Sequence, residues 1–124
     1  MGRRWGRRAW WMVWEVLREA EAAKPTKRAA VCVIVRAEAH EGRRERVEKL
    51  LRAYAYQVRN AELGCDSYLV TRLIGSEHHF AAHGRFIDWD AFIAHGETEH
   101  LHALMEQMTP HLATPISIEI YFEL

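Results

Sequence analysis

The spacing of apolar positions switches between the helical and the extended period along this chain, and each switch marks an element. Trp10, Val13, Trp14, Leu17 and Ala20 recur at helical spacing and predict an amphipathic helix from Ala9 to about Ala23, stopped by Pro25. Lys24 to Arg28 reads as a linker. Ala29 to Glu38 is rich in β-branched residues, with Val31, Val33 and Val35 on one face and Cys32, Ile34 and Arg36 on the other, and predicts a strand. Gly42 breaks it, and from Arg43 onward Val47, Leu50, Leu51, Tyr54 and Val58 trace the stripe of a helix packed on one side, with Gly64 as its expected C-cap. Cys65 to Leu73 and His78 to Ile87 predict two antiparallel strands joined by Ile74-Gly75-Ser76-Glu77, where glycine makes a positive φ cheap. Asp88 is placed to cap a short helix running through His95, and Thr98 a second that buries Leu101, Leu104, Met105 and Met108 and ends at Pro110. In the last strand Ile116, Ile118, Ile120 and Phe122 alternate with Ser117, Glu119, Tyr121 and Glu123.

After the first helix the order is strand, helix, strand, strand, helix, strand, the split βαβ ferredoxin-like arrangement of an α+β domain. Residues 29–124 form that domain, and residues 1–28 are an appended helix and linker. Two helices cover one sheet face. Apolar residues on the other face call for a second cover, most economically the same face of another copy, so a homodimer is expected.

Composition narrows the classes. At 124 residues one core is expected, and 17 basic against 17 acidic residues give no global charge for nucleic acid. The balance hides an asymmetry: residues 1–28 hold eight Lys and Arg against three Glu, a net of +5, and the remainder nine against fourteen, a net of −5. Tryptophans among the arginines of residues 3–14 suit bases or a membrane surface, but docking of the helix on its own protein is the simpler use, so neither nucleic acid nor membrane is expected as partner. Glu15 interrupts the apolar run that follows the arginines, against a secretory signal, and no run reaches the roughly 18 apolar residues of a membrane span. Cys32 and Cys65 lack a CxxC spacing, which points to reducing cytoplasm rather than a disulfide framework or thiolate metal site.

Candidate chemistry gathers where the third strand meets its helix. Phe80, Ala82, Gly84 and Phe86 share one face of that strand, and the two small residues between large ones leave either a hollow beneath the helices or a plainly filled core. Phe92 and His95, three apart on the short helix, are placed to close such a hollow. His95 is the candidate general base, with Glu99 four residues on as a possible orienting partner, and a capping or solvent-facing histidine is the plain alternative. His95, Glu99 and His102 have ligand spacing broken by Gly96, and His79 and His83 lie roughly 13 Å apart on a strand, so no metal is expected. Neither a nucleophile signature nor a phosphate loop is present.

The stretch Glu62 to Tyr68, the strand-to-helix turn from Gly84 to His95, His100 and Pro115, in that order and spacing, resemble the antibiotic biosynthesis monooxygenase family over about residues 29–123. The resemblance implies a dimeric alpha-beta barrel with one pocket per subunit between sheet and helices. Tyr68 and His100 thereby join Phe80, Ala82, Phe86 and Phe92 as expected substrate-binding residues around His95. It implies a cofactor-independent monooxygenase acting on a small aromatic or quinol substrate. Departures are specific: positions that resemble the family's pocket asparagine, tryptophan and tyrosine hold Ala82, Phe86 and Phe92, and Gly84-Arg85-Phe86 replaces a Glu-x-Trp step of quinol-oxidising relatives. His95 and Met105 stand near where haem-degrading relatives carry a tryptophan and an axial histidine, which disfavours haem degradation. The alternative is a non-catalytic ligand-binding or scaffold protein of the same fold, with the N-terminal helix as its interaction element.

Overall fold

The computed structural model describes residues 15–24 and 28–124. Residues 15–23 are helical and form α1 as far as it is described; the earlier part of the expected helix, with Trp10 and Trp14, lies outside the described residues. Then follow β1 (Val31–Glu38), α2 (Arg44–Ala61), β2 (Cys65–Arg72), β3 (His79–Phe86), α3 (Trp89–Gly96), α4 (Glu99–Met108) and β4 (Ser117–Phe122). The strands form one sheet in the order β2-β3-β1-β4, every neighbouring pair antiparallel. This is the ferredoxin-like α+β fold that the patterning predicts.

Each element follows from its residues. The stripe of α2 buries Val47, Leu51, Tyr54, Ala55 and Val58, and complete burial of the two valines is worth about 1.5–3 kcal/mol each. On β3, Phe80, Ala82, Gly84 and Phe86 are all buried while His79 and His83 are exposed, so alternation directs the apolar set inward. Asp88 accepts a hydrogen bond from the Ala91 amide at 2.8 Å, and Thr98 one from the Leu101 amide at 3.3 Å, which fixes where α3 and α4 begin. Pro110 does not itself end α4: the helix stops at Met108, and proline sits within a following 3-10 turn, Thr109–His111.

The glycines differ in what they do. Gly75 has φ +92°, as the β2–β3 hairpin requires. Gly64, expected as a left-handed cap, has no positive φ, and Glu62 is the C-cap of α2. Gly64 is needed for space: a Cβ there would stand 2.5 Å from the Cβ of Ala91. Its bareness lets α3 press against the end of α2, and the Ile87 amide bonds the Gly64 carbonyl at 2.9 Å. The pairing of β2 with β3 shifts register between Cys65 and Ser67.

Candidate functional site: a buried Glu–His–Tyr cluster beside an apolar cavity

The close approach at Gly64 brings the end of α2 to the junction of α3 and α4. Glu62, the C-cap of α2 and four residues after the buried Val58, meets a histidine from each short helix there. His95 Nδ1 donates to Glu62 Oε1 at 2.8 Å, and His100 Nε2 donates to Oε2 at 2.5 Å. All three side chains are at most 12% exposed, so these are sheltered contacts rather than surface pairs. Burial opposes ionisation of Glu62, but the hydrogen bonds from His95 and His100 outweigh it and hold the carboxyl below the usual carboxylate range.

The other ring nitrogen of His95 faces Tyr54, whose hydroxyl lies 3.3 Å from Nε2. Burial, reinforced by Tyr68 and Glu62, pushes the Tyr54 phenol far above its ordinary range, and burial does the same to Tyr68. Both phenols therefore keep their protons at neutral pH. With Nδ1–H committed to Glu62, the acceptor of a neutral His95 ring is Nε2, which faces the Tyr54 hydroxyl. Glu99, the partner suggested by spacing, begins α4 and is exposed; the carboxylate that orients His95 is Glu62.

A cavity of about 70 Å³ opens beside this cluster. Tyr54, Tyr68, Phe80, Ala82, Phe92 and His95 line it. Two expected lining residues stand elsewhere. Phe86 is wholly buried behind the site, its ring 4.7 Å from that of His95, and His100 bonds Glu62 with its ring 5.8 Å from that of Tyr54. The hollow expected at Gly84 is filled: a Cβ there would lie 3.0 Å from the Tyr68 ring, which occupies that space from the neighbouring strand. The cavity lies instead toward Phe80 and Ala82.

Glu62 and Tyr54 are the participants that sequence reasoning missed. Their signal was partly present, since Tyr54 and Val58 are four apart on the α2 stripe and Glu62, the C-cap, follows four residues later. Among the described residues, no group of three or more His, Cys, Asp or Glu side chains is arranged to hold a metal ion. His79 and His83 are engaged separately, with Ser76 at 2.6 Å and Thr71 at 3.0 Å. Among the described residues no helix is long and apolar enough to cross a membrane.

Residues 30–107 match the family model for antibiotic biosynthesis monooxygenase. The chain belongs to that family. Among solved structures, a proposed antibiotic biosynthesis monooxygenase from Caulobacter crescentus CB15 is 24% identical, with a TM-score of 0.74 over 78% of this chain and 92% of that one. A Mycobacterium tuberculosis protein is 24% identical, with a TM-score of 0.72 over 77% and 96%. A Pseudomonas aeruginosa protein is 26% identical, with a TM-score of 0.70 over 77% and 95%. No curated protein matches the sequence. The matched span holds Glu62, His95, His100, Tyr54 and Tyr68, whereas α1 precedes it.

Proposed function

We propose that the protein is a monooxygenase that oxidises a small aromatic or quinol substrate in this cavity without metal or organic cofactor. The observation that carries the reading is the placement of His95, oriented by Glu62 and presenting Nε2 to the wall of an apolar cavity. A substrate hydroxyl that displaces the Tyr54 hydrogen bond gives its proton to Nε2, and the apolar lining excludes water from the anion. Tyr54 and Tyr68, locked in the protonated state, are donors for the oxyanion. The electron-rich ring carbon forms a bond to dioxygen, the peroxide takes the proton from His95, and loss of water leaves a quinone. One oxygen atom enters the product and the other leaves in water.

His95→Ala is expected to lower oxygen uptake with hydroquinones and single-ring phenols by about 100-fold or more, the usual size of a lost acid-base contribution, with the fold retained. A second reading, a non-catalytic ligand-binding or scaffold protein, is favoured by Ala82 and Phe92, which put methyl and phenyl groups where the family resemblance implies polar ones. It takes over when the parent consumes no oxygen across the panel.

The working unit we propose is a homodimer. The sheet face away from the helices carries Ile34, Leu69, Ala81 and Tyr121 among its charged residues, with Leu69 59% and Tyr121 51% exposed. Sedimentation at micromolar concentration tests this, and a stable monomer there removes the sheet-on-sheet barrel. Two free, partly exposed cysteines, Cys32 and Cys65, support the reducing cytoplasm as its setting.

A further inference from the structure

One wall of the cavity comes from outside the family match. Leu17 of α1 stands among the lining residues, and the matched span begins only at residue 30. The place it covers is where α3 gives way to α4. Gly96 has no side chain to shield that junction, and the Leu17 Cδ1 lies 3.9 Å from where a Gly96 Cβ would stand. Leu17 is partly buried against the core, whereas Glu19 and Glu21 beside it are exposed.

The helix is held in this place by polar contacts to the opposite end of α3. Trp89 Nε1 donates to Glu21 Oε2 at 2.7 Å, and the Trp89 ring lies 5.5 Å from that of Phe92, itself a lining residue. After the linker, Arg28 pairs with Asp88 at 3.3 Å, the residue that caps α3. Leu17 thus reaches the C-terminal end of α3, while Glu21 and Arg28 hold its N-terminal end. The side chain is positioned over the cavity from two sides.

We propose that Leu17 is the size-determining residue of this pocket: α1 completes the cavity and restricts it to ligands of about one aromatic ring. The proposal rests on the cavity being the binding site assigned above, but not on the oxygen chemistry. A cavity of about 70 Å³ is smaller than the roughly 150 Å³ of an engineered apolar cavity that takes benzene, so one ring already requires side chains to give way and a fused second ring requires more. Shortening that leucine enlarges the space beside Gly96. Size discrimination by an apolar wall is typically about 10-fold or more when a few carbons are involved.

The test uses the full chain and two probes that need no turnover, benzene and naphthalene, titrated by NMR with the Met105 methyl as reporter. Leu17→Ala is expected to raise affinity for naphthalene relative to benzene by about 10-fold, and Leu17→Trp to weaken benzene by a similar factor. Glu21→Gln combined with Trp89→Phe, which leaves Leu17 unchanged, is expected to speed benzene dissociation. Thermal melts of each variant establish that the domain remains folded. Unchanged selectivity in Leu17→Ala, with both probes bound, overturns the role of Leu17 while leaving the cavity as a binding site. Binding of neither probe to parent or to Leu17→Ala also overturns it. Absence of oxygen uptake, with the selectivity shift observed, overturns the monooxygenase reading and leaves this one standing.

Discussion

His95 and His79 each lie beside a glutamate, Glu62 at 2.8 Å and Glu38 at 3.3 Å, and the two contacts have different consequences. The inner pair is 8% and 11% exposed; the outer pair, on the far face of the sheet, is 48% and 34% exposed. Water around His79 solvates either protonation state and screens the carboxylate. Around His95 the neighbours are instead the rings of Phe86, Tyr54 and Tyr68, so Glu62 decides which nitrogen carries the proton. Residue types are shared by the two pairs. What differs is the face of the sheet, and with it the dielectric.

Removing each acid should break the comparison most sharply. Glu62→Ala is expected to cost about 3 kcal/mol of unfolding free energy, because the buried His95 and the largely sheltered His100 both lose their acceptor, while Glu38→Ala should cost about 1 kcal/mol or less. Urea denaturation measures both, and equal losses would erase the distinction between inner and outer pairs. A gentler probe uses the two faces of β3. Gly84→Ala drives a methyl against the Tyr68 ring and should cost about 1–3 kcal/mol, whereas His83→Ala on the opposite face should stay within about 0.5 kcal/mol.

Acid titration sharpens the same contrast. The Glu62 carboxyl is lowered in the folded state, so its contribution is fully present above the unfolded carboxylate value near 4.5 and is lost as pH falls through the lower folded value. The stability gap between the parent and Glu62→Gln should therefore hold from neutrality to about pH 5, shrink below the unfolded value near 4.5, and close once pH has passed the lower folded value. A gap that closes near neutrality instead would show that another group controls the cluster. The smallest effect belongs to Arg85, which lies between Asp66 and Glu123 on the outer face. Arg85→Ala should change the melting temperature less than any substitution above, by an amount that shrinks with added salt. A larger change that depends on protein concentration would place this network in the dimer interface.

The fold was largely legible because its elements are periodic. Alternation along β3 put Phe80, Ala82, Gly84 and Phe86 inside, and the α2 stripe named its core residues, since both periods follow from local geometry. The site was legible only in part. His95 stood out as a histidine on an apolar helix face, but its partner is 33 residues away, and only the approach of α3 to α2 at Gly64 joins them. Gly64 also misled, because a glycine after a helix has two physical uses, a left-handed turn and a close contact, which are identical in sequence. The hollow at Gly84 was misplaced for a related reason: a strand's own pattern shows where space is left, not which neighbour fills it. Leu17 was legible as an apolar helix position and not as part of a cavity wall.

The register shift in β2 has a consequence for insertions and deletions. Cys65 pairs opposite Phe86 and Tyr68 opposite Gly84, both inward, although residues three apart on a regular strand face opposite ways. Asp66 is the extra residue that restores the phase. Tyr68 therefore stands at the cavity by virtue of a count as much as a side chain. Substitution at Asp66 leaves that count intact, whereas loss of the single residue would force either Cys65 or Tyr68 out to the opposite face. At this edge of the pocket, chain length tolerates less change than amino-acid identity.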